Sequence, residues 1–197
     1  FVNSDLDRDL YMALPPGDDE HAGMVCKLKK SLYGLRQSPR LWSEHMASWL
    51  DERGFQPLAS DPCVYCLKRD GMAVYMSIYV DDCFIVGDDK LCEVVKDWLK
   101  QSYKVRDYGQ PKSYLGMDVA VDRSRGTVSL AQTTYIDSMV ERFGLQNEPV
   151  PRTPMDAAKL MPRQDGEEGA DGSLYRAMVG SLLWAAITTC PDMSYTS

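Results

Sequence analysis

The sequence predicts an α+β fold in which helices cover one face of a small antiparallel sheet. Short β-prone runs occur in pairs with turn residues between them, which is typical of hairpin strands. Segments of helical length, with apolar residues at helical spacing, lie between and after these pairs. With 197 residues and 44% hydrophobic content, the chain is long enough to bury one large core, alone or with a smaller appendage.

The first predicted elements are a short strand and a long helix. Residues 1–25 show little periodicity and are expected to be extended or loop around a strand at Leu10-Tyr11-Met12. A helix is predicted to begin with Ser38 as its N-cap and Pro39 at its first position, and to stop at Gly54. The apolar residues at helical spacing, which should form its buried face, are Leu41, Trp42, Met46, Trp49 and Leu50.

The same signals predict three strands, a helix, a second hairpin and another helix further along the chain. The approximate ranges are 62–68, 73–79 and 83–86 for the strands, 90–103 for the helix, 114–121 and 127–130 for the second hairpin, and 134–143 for the next helix. The first two strands are expected to turn at Arg69-Asp70-Gly71, and the second hairpin at residues 123–126.

A linker is predicted where the structural signals are weakest. Residues 146–172 contain four prolines and end in a stretch rich in Gly, Glu and Asp. A last apolar helix is predicted from about 174 to 188. The expected units are therefore 1–145, the linker 146–172, and 173–197.

The sequence contains no membrane-spanning or signal segment. No run approaches the roughly 18 uninterrupted apolar residues of a membrane span. The first residues lack the basic and apolar parts of a signal peptide. We therefore expect an intracellular protein. The chain begins without methionine and in the middle of a pattern, as expected for a piece of a longer protein.

The six cysteines are expected to stay reduced, because no secretory signal is present, and most are expected to be small core hydrophobes. Cys63 and Cys66 form a Cys-x-x-Cys pair, but no second such pair follows. His21 and His45 are the only histidines in the sequence. A zinc site, which takes four ligands of these types, is therefore disfavoured.

The net charge of −7 argues against broad, non-specific nucleic-acid binding, which normally requires an excess of Lys and Arg. Residues 27–40, however, contain basic residues and no acidic ones. The basic residues are Lys27, Lys29, Lys30, Arg36 and Arg40. On charge alone, this basic strip is either a solvated face or the lining of a channel on an acidic body.

The sequence Tyr79-Val80-Asp81-Asp82 places two adjacent carboxylates between two apolar, β-prone runs. Hairpin tips favour Asn-Gly or Asp-Gly, so Asp-Asp without glycine is a poor choice for a purely structural turn. Two like charges near 4 Å repel by roughly 1 kcal/mol in water and about 4 kcal/mol at an effective dielectric of 20. A bound cation would offset this repulsion; the alternative is an exposed acidic turn.

Paired carboxylates suit phosphoryl or nucleotidyl transfer, in which two divalent ions stabilise the attacking and leaving oxygens. Hard oxygen ligands favour Mg²⁺. A metal-dependent phosphatase or nuclease would need further Asp, Glu or His ligands, which the surrounding sequence does not supply, so we disfavour that class.

Several segments carry a family resemblance by their order and spacing. They are Asn3-Ser4-Asp5-Leu6 with Tyr11-Met12, the run from Val25 to Trp42, the run from Ser60 to Tyr65, Tyr79-Val80-Asp81-Asp82, Tyr114-Leu115-Gly116, and Tyr175-Arg176 with the run from Val179 to Leu182. Through these segments the chain resembles the reverse transcriptase of copia-type LTR retrotransposons along nearly its whole length. The resemblance implies a right-hand polymerase, with 1–145 as fingers and palm and 173–197 as the start of a thumb or connection helix.

The resemblance also implies roles for particular residues. Asp81 and Asp82 would be the catalytic carboxylates and would bind Mg²⁺ or Mn²⁺, with Asp81 the stronger ligand. Gly34 would permit close approach of the template and the incoming nucleotide, and Gln37 would face the nascent pair. The remaining expected contacts to nucleotide or template are Phe1, Lys29, Lys30, Arg36, Arg40 and Tyr79.

Further expectations from the resemblance concern the sugar, the primer and the leaving group. Phe1 would be the steric gate under the deoxyribose, although a chain terminus is not expected to be held in place. Leu115 and Gly116 would grip the primer end. Either Lys104 or Lys112 could donate the proton to pyrophosphate.

The chain departs from the family pattern at two places. The family's first catalytic aspartate lies in an Asp-Val-Lys-Thr-Ala-Phe-like motif that Phe1 closes, so we expect it upstream of Phe1. These 197 residues alone are therefore expected to lack useful polymerase activity. Cys190 stands where the family usually has Arg before Pro-Asp.

The implied partners are an RNA or DNA template-primer, dNTPs and the rest of a Pol polyprotein, with integrase upstream and ribonuclease H downstream. The family implies a cytoplasmic virus-like particle. The alternative function, from a different class, is a non-catalytic relic or a co-opted nucleic-acid-binding module.

Overall fold

The computed structural model describes residues 1–17, 21, 23–149 and 171–195. The chain divides into two compact units, Phe1–Asp107 and Tyr108–Ser197. Most of the predicted linker, residues 150–170, lies outside the described residues, so the sequence-based division of the chain stays a prediction.

In the first unit, the residues that the structure describes form two antiparallel sheets and two helices. In chain order its elements are β1 (Asp5–Ala13), β2 (Val25–Lys30), α1 (Ser38–Asp51), β3 (Gln56–Pro57), β4 (Val64–Arg69), β5 (Met72–Tyr79), β6 (Asp82–Gly87) and α2 (Asp89–Ser102). Strands β1 and β2 pair with each other, and the second sheet has the order β3-β4-β5-β6. The predicted short strand at Leu10-Tyr11-Met12 is the second half of β1, which begins earlier than the sequence indicated.

The core of the first unit forms where α1 and α2 pack on one face of the four-stranded sheet. Val74 and Met76 of β5 are fully buried and Tyr75 between them is exposed, as expected for a strand with one covered face. Leu50 of α1 and Val95 of α2 are fully buried in the same cluster. The other buried members are Met46, Trp49, Phe55, Leu67, Leu91 and Leu99. A mixed α and β fold with small antiparallel sheets is thus confirmed.

The start of α1 differs from the prediction. Gln37 occupies the N-cap position and no side chain caps the helix, whereas Ser38 is already helical. The Ser38 hydroxyl accepts a hydrogen bond from Ser31 Oγ (2.6 Å) and donates one to the Leu32 carbonyl (2.5 Å). Ser38 as N-cap is therefore wrong, because its hydroxyl serves the preceding loop, and this fully buried pair of serines fastens the loop to the helix.

The turn between β4 and β5 confirms the prediction. Arg69 pairs with Met72, which leaves Asp70 and Gly71 as a two-residue loop. Both have positive φ, 52° and 77°, as a type I′ hairpin turn requires. This turn sets the register that buries Val74.

The described residues of the second unit, 108–149 and 171–195, form one three-stranded antiparallel sheet and two helices. Its elements are β7 (Ser113–Tyr114), β8 (Met117–Asp122), β9 (Thr127–Ala131), α3 (Thr133–Arg142), α4 (Gly172–Thr188) and a 3₁₀ turn at Pro191–Tyr195, and the sheet order is β7-β8-β9. Asp118 of β8 accepts hydrogen bonds from the Thr134 amide and hydroxyl at the start of α3. Asp171 caps α4 by accepting from the amides of Ser173 and Leu174.

The continuous strand predicted over 114–121 is wrong. Leu115 and Gly116 have φ of 49° and 80°, and Tyr114 pairs with Met117 across them. The chain therefore turns back at Leu115-Gly116. The apolar composition that indicated a strand does not reveal a leucine in the left-handed region, where bulky residues are rare.

The six cysteines carry free thiols, and none of them is fully buried. Cys63 and Cys83 are exposed and the other four are partly exposed, so the expectation that most of them are core hydrophobes is wrong. Among the helices that the structure describes, none combines the length and apolar character needed to cross a membrane.

Candidate active site

The predicted pair of carboxylates lies at the end of the β5–β6 hairpin. Tyr79 pairs with Asp82, so the two-residue loop consists of Val80 and Asp81. Asp81 is a turn residue, whereas Asp82 is the first residue of β6. Both aspartates are exposed. The carboxylates therefore leave the backbone from two structurally different positions rather than sharing a tip.

The unfavourable residue in this turn is Val80. Its φ is +56°, whereas the φ of Asp81 is not positive. A positive φ at only the first loop position is the pattern of a type II′ turn, which prefers glycine there. For a β-branched residue this conformation is a genuine outlier, and such residues typically carry about 1–3 kcal/mol of strain. The sequence indicated that Asp81-Asp82 stands where a hairpin turn prefers glycine. In the structure, the residue at the glycine-preferring position is Val80, one residue earlier.

One aromatic side chain, Trp42, contacts the turn, and two further rings pack against it. The indole N–H of Trp42 in α1 donates a hydrogen bond to the Val80 carbonyl (2.5 Å). His45, one helical turn further along α1, stacks on Trp42 with ring centroids 5.7 Å apart. The Tyr103 hydroxyl at the end of α2 lies 2.9 Å from His45 Nε2. Trp42 was predicted to lie on the buried face of α1, and no role was predicted for His45 or Tyr103.

The two carboxylates affect the pKa of the neighbouring Cys83 thiol. Its thiol pKa is raised to about 11, first because surrounding protein atoms desolvate it and then because Asp82 and Asp81 carry negative charge. By accessible surface the residue is nevertheless exposed, so a small reagent can reach it. The electrostatic field of the aspartates therefore extends to an accessible thiol on the adjacent strand position.

Tyr79 shares one face of the sheet with Asp82. Cross-strand partners point to the same side, and Ser77 and Phe84 form the next pair on this face. The buried Met76 points to the opposite side, toward the helices. The structure thus brings Tyr79 and Asp82 together on the face of the sheet that the helices leave open, with Asp81 in the turn beside them.

The loop between β2 and α1 carries Gly34, Arg36 and Gln37. Gly34 has φ of +92°, and a Cβ at this position would meet no atom within 4 Å. The backbone conformation therefore explains why residue 34 is glycine, and the space beside it is open. Arg36 is exposed and Gln37 is half-buried. Helix α1 begins directly after this loop and contacts the β5–β6 turn through Trp42.

Most of the basic strip is paired with carboxylates. Lys30 Nζ lies 2.6 Å from Asp5 Oδ1, and Lys27 Nζ lies 2.7 Å from Asp9 Oδ2. The paired lysine lowers the pKa of Asp5, through its hydrogen bond and then through its charge. These pairs were not predicted, although the alternating Asp5, Asp7 and Asp9 of β1 indicate a strand face that could pair with the basic strip.

Arg40 is paired twice. It contacts Asp7 Oδ2 through Nη2 (2.6 Å) and Glu44 Oε1 through Nη1 (2.9 Å). The hydrogen bonds to Glu44 and then to Asp7 raise its pKa. Lys29 and Arg36, in contrast, make no ion pair with any residue that the structure describes.

A bulge in β1 accompanies these pairs. Asp5 pairs with Lys30, but Leu10 pairs with Leu28, so the stretch between Asp5 and Leu10 faces Lys29 alone. Asp7 and Asp9 lie in this bulge, which borders an open cavity of about 420 Å³. A β-bulge changes the direction of nearby side chains. The bulge in β1 contains two of the carboxylates that neutralise the basic strip.

Phe1 is held more firmly than the sequence indicated. Its ring is partly buried and lies 4.5 Å from the Tyr33 ring, centroid to centroid. Its carbonyl accepts a hydrogen bond from the Ser4 amide (2.9 Å). Tyr33, which the sequence analysis did not single out, is thus the side chain that contacts the proposed steric gate.

The predicted primer grip, Leu115 and Gly116, forms the β7–β8 turn of the second unit, as described above. Of the non-glycine residues described with positive φ, two are bulky and apolar, Val80 and Leu115. Both lie in segments that carry the family resemblance. Strained backbone of this kind concentrates at functional sites.

The donor set at the β5–β6 turn suits a hard divalent cation but is incomplete. Asp81 and Asp82 offer the carboxylate oxygens that Mg²⁺ prefers. In the described parts of the chain, no group of three or more His, Cys, Asp or Glu side chains is arranged to hold a metal ion. These two residues therefore fit a metal as part of a ligand set that needs further donors.

Comparisons with known proteins agree on one family. Residues 1–157 match the family described as reverse transcriptase (RNA-dependent DNA polymerase). The chain is 37% identical, over 99% of its length, to a retrovirus-related Pol polyprotein from transposon TNT 1-94 of Nicotiana tabacum. It is 35% identical over 99% of its length to the retrovirus-related Pol polyprotein from transposon RE1 of Arabidopsis thaliana.

A shorter relative is the putative transposon Ty5-1 protein of Saccharomyces cerevisiae, which is 29% identical over 99% of the chain and of which the chain covers 64%. The chain spans 15% and 13% of the two plant polyproteins. No solved structure matches it. On the match of residues 1–157 and the plant relatives, the chain belongs to the reverse transcriptase family of copia-type retrotransposons.

Proposed function

We propose that this chain is the palm-and-fingers part of an RNA-directed DNA polymerase that extends a primer by nucleotidyl transfer. The observation that carries the proposal is the family match over residues 1–157, within which two exposed carboxylates end a hairpin. Asp81 and Asp82 would bind Mg²⁺ or Mn²⁺. When bound, the metal would supply stabilisation of negative charge on the attacking and leaving oxygens.

The residues around the turn support this assignment by their accessibility. Tyr79 is 58% exposed and lies on the sheet face that the helices leave open, beside Asp82. The loop with Gly34, Arg36 and Gln37 has open space beside its glycine, as close approach of a nucleotide or template would need. Phe1 would select the sugar from its place against Tyr33, and Leu115-Gly116 would contact the primer end.

Phosphate contacts divide into two groups. Lys29 and Arg36 form no ion pair with the residues that the structure describes, so they would bind phosphates directly. Lys30 and Arg40 would first exchange Asp5 and Asp7 for phosphate. Because these pairs are exposed to solvent, each contributes little to stability and such an exchange is feasible.

The incomplete donor set limits what the chain does alone. Asp81 and Asp82 would hold a pair of metal ions poorly without a third carboxylate, and the described residues bring none to them. We therefore propose that the 197 residues by themselves lack useful polymerase activity. The same observation favours a second candidate, a nucleic-acid-binding module that keeps the fold but does not polymerise.

One set of measurements on the 197-residue chain tests these proposals. Mn²⁺ or Mg²⁺ should raise the melting temperature of the wild type more than that of Asp81→Asn. A matched control is Asp70→Asn, which alters an aspartate in the other hairpin turn of the same sheet. Equal shifts in the wild type and Asp81→Asn would overturn the metal site.

Binding and activity assays complete the test. The chain should bind an RNA template annealed to a DNA primer and should not extend it with dNTPs. Template-dependent dNTP incorporation would overturn the proposed inactivity, and failure to bind template-primer would overturn the nucleic-acid role. Binding without a difference between the wild type and Asp81→Asn in metal response would favour the non-catalytic module.

The relatives named above are Pol polyproteins of transposons, which supports a proposal about the wider setting of the chain. We propose that the chain works as part of such a polyprotein, with integrase upstream and ribonuclease H downstream, in a cytoplasmic virus-like particle. Pulse-labelling of the complete source protein and its processing products would test this arrangement.

A further inference from the structure

The direction of the Asp81 side chain depends on the conformation of Val80. A valine at φ +56° adopts a rarely populated backbone region, which persists only when surrounding contacts hold it. Asp81 is the next residue, so any relaxation of Val80 toward negative φ would swing the Asp81 backbone and carboxylate. The turn therefore needs a specific contact to stay as it is.

Trp42 supplies such a contact. Its indole N–H donates to the Val80 carbonyl at 2.5 Å, across 38 positions of sequence. Trp42 is partly buried and packs against the hydrophobic core, so its ring is not free to follow a moving turn. The hydrogen bond thus links the β5–β6 turn to the hydrophobic core of the first unit.

The orientation of the Trp42 ring is itself fixed by two other rings. His45 stacks on it with an interplanar angle of 22°, and Tyr103 meets it edge-on at 6.0 Å between centroids. The Tyr103 hydroxyl and His45 Nε2, 2.9 Å apart, hold these two rings to each other. Since His45 comes from α1 and Tyr103 from the end of α2, both helices determine where the indole N–H points.

We propose that Trp42 is a positioning residue that holds Val80 in its left-handed conformation and thereby fixes the direction of the Asp81 carboxylate. The consequence for metal binding rests on the proposed function. The restraint on the turn does not, because it follows from the contact between Trp42 and Val80.

Helix α1 provides a matched control. Trp49 lies on the same helix, and its indole N–H donates to Ser102 Oγ at 2.8 Å. Trp42→Phe and Trp49→Phe therefore each remove one indole hydrogen bond and keep an aromatic ring. Only the first of these two bonds ends on the hairpin turn.

The primary experiment is amide hydrogen exchange, followed by NMR in metal-free buffer. Trp42→Phe should accelerate exchange of the Asp82 amide, which belongs to the strand pair that the turn closes, by about five- to tenfold, the factor expected for the loss of one hydrogen bond. Trp49→Phe should leave this amide at the wild-type rate. Equal acceleration in the two variants, or none in Trp42→Phe, would overturn the proposal.

A second variant keeps the test decisive if Trp42→Phe is poorly folded. Glycine adopts positive φ without strain, so Val80→Gly removes the need for restraint. In the Val80→Gly background, Trp42→Phe should change exchange of the Asp82 amide by less than twofold. An undiminished effect in this background would mean that Trp42 acts through general stability and would overturn the proposal.

Mn²⁺ affinity, measured by electron paramagnetic resonance, tests the consequence at Asp81. Trp42→Phe should weaken Mn²⁺ binding about fivefold, with no change in Trp49→Phe. Wild-type affinity in Trp42→Phe, in a protein whose Asp81→Asn variant binds Mn²⁺ less well, would overturn the positioning role. If the wild type and Asp81→Asn bind Mn²⁺ equally, the metal site of the proposed function fails, and the exchange data alone decide whether Trp42 restrains the turn.

Discussion

Arg40 Nη2 lies 2.6 Å from Asp7 Oδ2, so a cation of α1 that the family resemblance assigned to nucleotide or template already holds a carboxylate of β1. The same is true of Lys30, which holds Asp5. A carboxylate and a phosphate both present oxygens to a cation, so carboxylates of the bulged strand β1 occupy the places that the proposed function gives to nucleic-acid phosphates. Cations of the strip that hold a carboxylate are therefore expected to contribute less to template-primer binding than those without an ion pair to the described residues.

Lys29 should contribute more than Lys27 to template-primer binding. Lys29 has no described ion pair, whereas Lys27 holds Asp9 at 2.7 Å. Lys29→Gln should weaken binding and reduce the slope of log affinity against log salt by about one unit, the value expected per phosphate contact. Fluorescence anisotropy at several salt concentrations measures both quantities. Lys27→Gln is the matched control, and equal losses in the two variants would contradict the assignment.

The Asp5 carboxyl should titrate below its ordinary pKa of 3.8, because Lys30 lowers its pKa. Replacing the lysine by Lys30→Gln should raise the Asp5 pKa toward 3.8, as followed by NMR of the side-chain carboxyl. A depressed pKa means that the folded state binds this proton less tightly than the unfolded state does. The contribution of the pair to stability is therefore present above 3.8 and is lost as the pH falls through the folded-state pKa.

For the Asp5 titration, Lys27→Gln is again the control, since Lys27 pairs with Asp9 instead. An Asp5 pKa that is unchanged in Lys30→Gln would show that the contact does not persist in solution.

Gly87→Ala should destabilise the first unit strongly. A Cβ at this position would lie 2.3 Å from the Ala73 carbonyl oxygen and 2.7 Å from Val74 Cα, both backbone atoms of β5. Relieving such overlap requires a backbone shift, for which about 3 kcal/mol of lost unfolding free energy is expected. Urea denaturation measures the change.

Gly71→Ala separates crowding from backbone conformation. Gly71 has φ of +77°, but a Cβ at this position would meet no atom within 4 Å, so only the conformational penalty of about 1 kcal/mol is expected. A loss in Gly87→Ala no greater than that in Gly71→Ala would contradict the close approach of β5 and β6.

The Cys83 thiol should react slowly at neutral pH in metal-free buffer. Its pKa of about 11 means that the reactive thiolate is scarce near pH 7, and alkylation by iodoacetamide should accelerate until the pH passes that value. Asp82→Asn removes one of the two neighbouring negative charges and should lower the pKa. The pH profile of alkylation, with Cys83 identified by mass spectrometry, measures this shift.

Asp70→Asn serves as the control for Cys83, since Asp70 lies in the other turn of the sheet, between β4 and β5. The same alkylation profile for the wild type and Asp82→Asn would mean that the carboxylates do not act on the thiol.

Local pattern was sufficient to predict the helices but not how each begins. The spacing of Leu41, Met46, Trp49 and Leu50 predicted the buried face of α1, because helical periodicity follows from backbone geometry. Ser38 was mistaken for a cap since a serine hydroxyl has several local acceptors within reach.

The conformations of two turns escaped prediction for a related reason, although the β5–β6 turn itself was predicted and the β7–β8 turn was not. Val80 and Leu115 both adopt positive φ, which their residue types disfavour, so no propensity argument would place them there. Each turn joins paired strands, Tyr79 with Asp82 and Tyr114 with Met117, and the Val80 carbonyl also accepts the hydrogen bond from Trp42. Because these contacts involve residues outside the two turns, they leave little trace in the turn residues.

The sequence by itself determined the family, the α+β class and the presence of adjacent carboxylates between two strands, because motifs and periodicity are properties of neighbouring residues. Only the tertiary structure decided that Asp7 neutralises Arg40 and that Trp42 contacts the Val80 carbonyl. These contacts join residues 33 and 38 positions apart. They depend on strand register, on a bulge in β1 and on the packing of α1 against the sheet, which are set by burial of the whole core rather than by any local pattern.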